Sequence, residues 1–429
     1  MSKAFISVGI DVGADFSYMS LALPDQTFIG KPFKIVHNND KSLEQAVQTI
    51  KKAEELNSMK ARIVMESTGI YHYPLFYYLC VKGFETHVIN PIITKNSTNL
   101  NVRKVSNDKS SSKIIAILGL KPDLKTSLIP ADAILDLRNI AREYYSLVDE
   151  RSSYVNKLLA VLRIAFPQYL GVFSKITGKA ALALLAKYPS PRAFLSARKS
   201  SIIKLIRKKS RSGVAYAEKK YQCIIKAAKA ASTFGHALSS NAALIKNYIS
   251  IIRMLDKSAS DLLTMMEKIV KDNEGETFAE HIRLLETIPG CGFLSAVTVI
   301  CEIGDFTAFK SPKQLFAYFG LDPAVKQSGN FTGTNVKMSK RGSSVARRVV
   351  YTIALVSIGR TCKGKDNNRV LREYYLAKCK SKPKMVALGA IMHKVCNIIF
   401  AVLRDLKPFT LTTAEQHRAN FSHISRLAA

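Results

Sequence analysis

Three acidic residues in this 429-residue chain stand where carboxylates can do chemistry. Asp11 closes a β-rich run, Ala4 to Ile10, and Glu66 closes another, Arg62 to Met65. Carboxylates at the ends of strands in one sheet can converge on a divalent cation. Asp108 opens a helix that runs through Ile114 and Leu118. Helical spacing puts position 111 on the same face, where a fourth acidic ligand would belong, and that position holds Ser111. A carboxylate cluster holding Mg²⁺ can activate a nucleophile and stabilise a leaving oxygen. Taken singly, each acid reads more simply as a surface cap or turn residue.

A second chemistry is carried by Ser328, in Gln327-Ser328-Gly329, followed by Ser339-Lys340-Arg341-Gly342 and by Arg347 and Arg348. A serine beside glycine in a loop has an accessible hydroxyl. Nearby cations can stabilise a pentavalent phosphate and help an alkoxide form. As a bare tripeptide the motif is more often an ordinary loop. Upstream, Pro289-Gly290-Cys291-Gly292 separates two apolar helical stretches in the layout of a helix–hairpin–helix element. Gly290 and Gly292 would let backbone N–H groups approach a nucleic-acid phosphate at a helix N-terminus. The simpler reading is a packing corner.

The charge balance says what such sites would meet. There are 64 Lys and Arg against 32 Asp and Glu, a net charge of +32. A chain so basic attracts polyanions, nucleic acid first among them. The densest run is Arg198, Lys199, Lys204, Arg207, Lys208, Lys209, Arg211, Lys219 and Lys220, opposed by Glu218 alone. Lys208, Lys209 and Arg211 are its candidate phosphate contacts, with a solvated face as the alternative. The seven Cys form no CxxC pair, and their odd number argues against a closed disulfide framework. Reduced thiols and an N-terminus without a basic-then-apolar leader suit the cytoplasm of a prokaryotic cell. No apolar stretch reaches the roughly 18 residues of a spanning helix, the longest candidate being Val349 to Gly359. No membrane partner is expected.

Positioning these groups falls to three regions: 1–125, 126–275 and 276–429. The first alternates strand and helix signals. Strands over 4–10, 18–23 and 28–36 are followed by a helix over 43–56 capped at Asp40 or Ser42, a strand over 62–65, a helix over 73–81 and a strand over 86–89. That order predicts an α/β domain with a mixed sheet. The second is nearly all helical, with long periodic stretches over 135–165 and 245–270 that suit an antiparallel coiled coil or a dimer contact. Pro167 stops the first of them. The third is mainly helical and carries the hairpin and the serine.

In one order the chain presents Gly9-Ile10-Asp11-Val12-Gly13, Glu66-Ser67-Thr68-Gly69, the Asp108 helix, Ile288-Pro289-Gly290-Cys291-Gly292, Ile303-Gly304-Asp305, Leu315 to Leu321, Gln327-Ser328-Gly329 and Ser339-Lys340-Arg341-Gly342. Each motif is weak alone, and their ordered combination is specific. It resembles the DEDD transposases of insertion sequences (the IS-one-ten type), recombinases guided by a bridge RNA. The resemblance runs over nearly the whole chain. It implies an RNase H-like, RuvC-like N-terminal domain holding Mg²⁺ at Asp11, Glu66 and Asp108, a coiled-coil dimerisation arm, and a C-terminal domain presenting Ser328 as nucleophile. It further implies donor and target DNA and a structured guide RNA as partners. Four protomers, a dimer of dimers, would place acidic site and serine from different chains together. The family has Asp-x-x-Asp where this chain has Asp108-Lys109-Ser110-Ser111, so the fourth carboxylate is missing. Water or the Ser111 hydroxyl would then complete the shell, or Asp15 would be recruited. The alternatives are a catalytically impaired nucleic-acid-binding derivative and a metal-only Holliday-junction resolvase in which Ser328 is structural.

Overall fold

The structure, a computed structural model, describes residues 4–67, 70–89, 94, 107–121, 131–236, 238–324, 327–328, 331–332, 337–412 and 416. It divides into two compact units, Met1–Pro130 and Ala131–Ala429.

The first unit is built on a five-stranded mixed sheet in the order β3-β2-β1-β4-β5. Strands β1 (Phe5–Val12), β2 (Phe16–Ala22) and β3 (Phe28–Val36) form an antiparallel meander, while β4 (Lys60–Glu66) and β5 (Glu85–Ile89) run parallel to β1. The two parallel connections use α1 (Asp40–Asn57) and α2 (His72–Val81). Side chains alternate along a strand. Ile6, Val8, Ile10 and Val12 join Ile63 and Met65 in a core with Ala46, Val47 and Ile50 of α1 and Leu75, Phe76 and Leu79 of α2. The sequence places the cap of α1 at Asp40 or Ser42. The structure puts it at Asn39, whose extended backbone (φ −132°, ψ 103°) lets its side chain accept from the Ser42 amide at 3.2 Å.

The opposite face of β1 carries small residues, and α3 (Asp108–Gly119) lies on it almost backbone to backbone. A Cβ on Gly9 would stand 2.1 Å from the Ala116 nitrogen and 2.4 Å from the Ser112 carbonyl oxygen. A Cβ on Gly119 would meet the Ser7 hydroxyl at 2.1 Å. The Ser112 and Ser20 hydroxyls bond at 2.8 Å in the buried seam, and Val64, Ile89, Ile115 and Leu118 fill the remainder.

The second unit is helical around two cores. Helices α4 (Asp132–Ala165) and α9 (Ser239–Asp272), 34 residues each, pair with one another inside the chain. They run antiparallel: Leu137 and Ala141 share a core with Met266 and Val270, Arg151 pairs with Asp256, and Leu158 and Leu162 share a core with Ile245 and Ile249. Between them come a 3-10 turn (Pro167–Gly171), placed by Pro167 as its sequence position suggests, and α5 (Lys179–Lys187), α6 (Pro191–Leu195), α7 (Lys199–Ser210) and α8 (Val214–Thr233). These fold over Phe166, Tyr169, Phe194, Ile202, Ile206 and Ile224.

At the other end of the pair, α10 (Thr277–Glu286), α11 (Phe293–Ile303), α12 (Pro312–Tyr318), α13 (Ser344–Ser357), α14 (Arg369–Cys379) and α15 (Lys384–Asp405) enclose the larger core. A buried carboxylate fastens it to the pair: Glu302, 4% exposed, accepts two bonds from Arg142, at 2.7 and 3.0 Å. Helix α15 corrects the expectation that no apolar stretch is long enough to span. It has 22 residues and is apolar enough to span by length and composition, yet more than half of its apolar stretch is buried inside the unit. His393 and Lys394 interrupt the apolar run in the sequence, and its apolar residues face the core: Leu388, Ile391, Val395, Ile399 and Phe400.

Candidate functional site

Asp11 continues the Ser7, Gly9 alternation of β1, so it lies on the α3 face at the carboxyl end of the strand. Ile10 and Met65 are register partners in β1 and β4, which makes Asp11 and Glu66, one residue further on, neighbours at the same sheet edge. The close seating of α3 brings its first turn to that edge. Burial, then the neighbouring carboxylates of Asp108 and Glu66, push the Asp11 carboxyl up to about 6, against a hydrogen bond from Ser111 that pulls it down. Three of the sequence candidates therefore lie within electrostatic reach of one another. The residue at the fourth position faces Asp11 as well.

Two further groups hold the arrangement. Thr94, 7% exposed, donates to Glu66 Oε2 at 2.7 Å. Asn107 caps α3 in a reciprocal box with Ser110: the Asn107 side chain accepts from the Ser110 amide at 2.8 Å, and the Ser110 hydroxyl accepts from the Asn107 amide at 3.1 Å. Thr94 escapes sequence reading because it is 28 residues from its partner. Asp15 is exposed on its turn and is not among the groups that act on Asp11. Among the described residues no three His, Cys, Asp or Glu side chains close round a common point. The donor set is nonetheless all hard oxygen, the chemistry that suits Mg²⁺ rather than a softer metal.

The serine lies in the second unit. Gln327–Ser328 forms a short strand, β6, paired antiparallel with β7 (Phe331–Thr332), Ser328 opposite Phe331. The Ser328 side chain is outside the described residues. What is described is the base from which the hairpin rises. There Gly320 and Gly342 cross: a Cβ on Gly342 would stand 1.9 Å from the Tyr318 carbonyl oxygen, and one on Gly320 2.5 Å from the Gly342 nitrogen. Pro323 bridges to Met338, the Ala324 amide donates to the Lys337 carbonyl at 2.8 Å, and the Ser339 hydroxyl donates to Asp322 at 2.5 Å. Lys340 sits in the left-handed region, φ 56°, its amide donating to the Gly320 carbonyl at 3.0 Å.

The cations near the serine divide by what they touch. Arg347 donates to the carbonyls of Phe319 (3.1 Å) and Gly342 (2.6 Å), so it clasps the crossing. Arg348 bonds Asp149 at 2.9 Å and stacks over Tyr145. Lys340 and Arg341 are exposed. The hairpin glycines divide as well. Gly290, φ +95°, is pressed against Ile353 and Ser357 of α13, and the Ser357 hydroxyl donates to the Pro289 carbonyl at 2.7 Å. Gly292 is exposed, with open space about it, at the N-cap of α11. Lys208 and Arg211 share an open groove of about 1200 Å³ with Lys204 and Arg207, while Lys209, turned aside by the helical period, lines a different recess with Leu205, Arg253 and Asp256.

Residues 8–167 match a family model described as Transposase, of the DEDD type of IS110. Residues 282–376 match the model described as Transposase IS116/IS110/IS902 family. The chain belongs to the IS110 family of transposases. Its relatives agree. It is 26% identical over 322 residues to an insertion element IS900 uncharacterized 42 kDa protein of Mycobacterium paratuberculosis, covering 71% of this chain and 75% of that one. It is 32% identical over 127 residues to the pilin gene-inverting protein of Moraxella bovis, covering 29% of this chain and 38% of the relative. To the transposase for insertion sequence element IS1111A of Coxiella burnetii it is 28% identical over 148 residues, 34% of this chain and 38% of the relative. For this IS110-family chain the two matched stretches contain, respectively, the acidic cluster and the serine with its frame.

Proposed function

We propose that this transposase is a guide-RNA-directed DNA recombinase of an insertion sequence, in which a serine does the strand transfer and an RNase H-like acidic site assists. The observation that carries the reading is the electrostatic pressure of Asp108 and Glu66 on Asp11 at the carboxyl ends of the inner strands of a 3-2-1-4-5 mixed sheet. That sheet order, with its antiparallel meander and two parallel strands, supports the RNase H-like assignment.

Region 1–125 would supply the acidic site, 126–275 the arm and basic segment, and 276–429 the serine. Asp11, Glu66 and Asp108 would hold Mg²⁺, with the Ser111 hydroxyl or water in the fourth place. The ion supplies charge neutralisation at a phosphate and a more acidic bound water. Ser328 Oγ attacks a DNA phosphorus. The serine O–P bond forms, the P–O bond to the deoxyribose breaks, and the freed sugar oxygen takes up a proton, so the phosphodiester energy is kept for rejoining. Lys340 and Arg341, exposed beside the clasped crossing, face charge that builds on the phosphate. The Gly292 corner contacts backbone phosphate. Donor and target DNA, a structured RNA and a dimer of dimers complete the system.

The test is a covalent adduct between protein and DNA, seen on a denaturing gel with protein, guide RNA, Mg²⁺ and both DNAs. It should form, and disappear in Ser328→Ala. Junction cleavage that persists in Ser328→Ala with no adduct in the wild type removes the serine step and leaves a metal-only resolvase. Ser111 in the fourth acidic position favours a second reading, an impaired copy that binds without cutting. Ser111→Asp should then raise cleavage at least about tenfold. No gain ends that reading.

A further inference from the structure

The helices between the two arm ends form a head of their own. From Phe166 to His236 the chain has fifteen Lys and Arg against the single acid Glu218, a net +14 of the chain's +32. The fold sorts this charge. Ile202 and Ile206 of α7 are buried in the aromatic core, and helical spacing turns Ser200, Lys204, Arg207 and Lys208 outward as one stripe, which Arg211, the left-handed C-cap of α7, continues. That stripe lines the open groove of about 1200 Å³. Lys199 pairs with Glu218 at 3.7 Å, and among the described residues Lys204, Arg207, Lys208 and Arg211 have no acidic partner. Four like charges, three on α7 and one at its C-cap, repel one another, so the arrangement is stabilised by a polyanion rather than by the protein. The head falls between the two family-matched stretches.

We infer that this head is a sequence-independent clamp for duplex DNA, gripping the phosphate backbone away from the point of strand cleavage; the choice of DNA rests on the recombinase reading above. The stripe carries no aromatic side chain on which an unpaired base could stack, the means by which single strands and folded RNA are usually held. From Lys204 to Arg211 it extends roughly 10 Å along the helix, against one duplex charge per ~1.7 Å of axis. The groove therefore meets several phosphates at once. The arm sets the distance. Leu137 belongs to the core that also holds Phe319, Leu321 and Ala346 at the serine frame, and Leu162 belongs to the core of the head. Twenty-five residues of helix separate them, about 37 Å. At about 3.4 Å per base pair, a duplex lying along the arm reaches the head about one helical turn from the serine.

The test uses the full chain with Lys204→Gln, Arg207→Gln, Lys208→Gln and Arg211→Gln together, all exposed positions. Binding of a fluorescent duplex of arbitrary sequence, about 40 bp long, is followed by anisotropy from about 50 to 200 mM salt. The variant should bind at least about tenfold more weakly, with a log–log salt slope shallower by about 3 to 4. Lys51→Gln with Lys52→Gln, on α1, should leave the slope unchanged. An unchanged slope for duplex DNA overturns the clamp, and a slope that falls only for a structured RNA reassigns the head to RNA and overturns it equally. A chain that shows the expected change in slope yet forms no Ser328 adduct keeps the clamp and loses the recombinase reading. Hydroxyl-radical footprints add the distance: protection about one turn from the cleavage point should vanish in the variant.

Discussion

The acidic edge of the first unit and the frame of the serine hairpin both depend on glycines that let backbones touch, yet they use the contact differently. At the acidic edge, Gly9 and Gly119 seat a whole helix on a strand, and the register of three regular elements then aims Asp11, Glu66, Asp108 and Ser111 together. At the serine, Gly320 and Gly342 cross two irregular segments, and side chains such as Arg347, Asp322 and Ser339 finish the clasp. A site on regular elements inherits its precision from many hydrogen bonds. A site on a hairpin inherits it from a few, so each of those few counts for more.

The largest expected effect is on the helix seat. Gly9→Val forces its branched side chain into the Ala116 backbone, which cannot retreat without lifting α3. Chemical denaturation should show a loss of about 3 kcal/mol or more, confined to the first unit, with Mg²⁺-dependent activity gone. A loss under about 1 kcal/mol would mean that α3 is not held by this seam.

Next comes the crossing. Gly342→Ala places its Cβ against the Tyr318 carbonyl and should cost about 1–3 kcal/mol, read as faster proteolysis between 320 and 342 and loss of the serine adduct. The first unit's unfolding transition should not move. If it does, the two regions are not independent in the way their separate cores suggest.

Arg347→Lys keeps the charge and replaces the planar guanidinium whose Nη1 reaches two carbonyls with a shorter, rotatable ammonium. Adduct formation should fall about tenfold with DNA affinity and salt slope unchanged. A slope lowered by about 1 would return Arg347 to the phosphate contacts.

The smallest effect is a pH dependence. The folded pKa of Asp11, about 6, lies above the usual 3.8, so the carboxyl favours the fold fully below about 4, and that contribution is lost as pH rises through 6. Asp11→Asn should therefore gain on the metal-free wild type as pH goes from 4 to 7, on the order of 1 kcal/mol after discounting for partial exposure. Thermal melts in chelator check the sign. Added Mg²⁺ should stabilise the wild type and not the variant.

Much of this was legible along the chain. Strand alternation and helix period gave the order of elements in the first unit, because local backbone geometry imposes those periods. Gly9, Ser112, Ala116 and Gly119 are also visible, but nothing local says that they face one another. The cap of α1 fell on Asn39 because a cap is chosen by backbone conformation among adjacent polar residues. Arg347 and Arg348 read as phosphate ligands because a basic residue near a serine looks the same whether its fork meets phosphate or a carbonyl.

Sequence by itself determined the charge, the periods and the identity of the chemically capable residues, since these are properties of side chains and their spacing. Only the tertiary structure decided which carboxylates press on Asp11, which glycine packs and which stands open, and which cations stay free of acidic partners among the described residues. Those follow from contacts between residues far apart in the chain, set by how closely two backbones can approach.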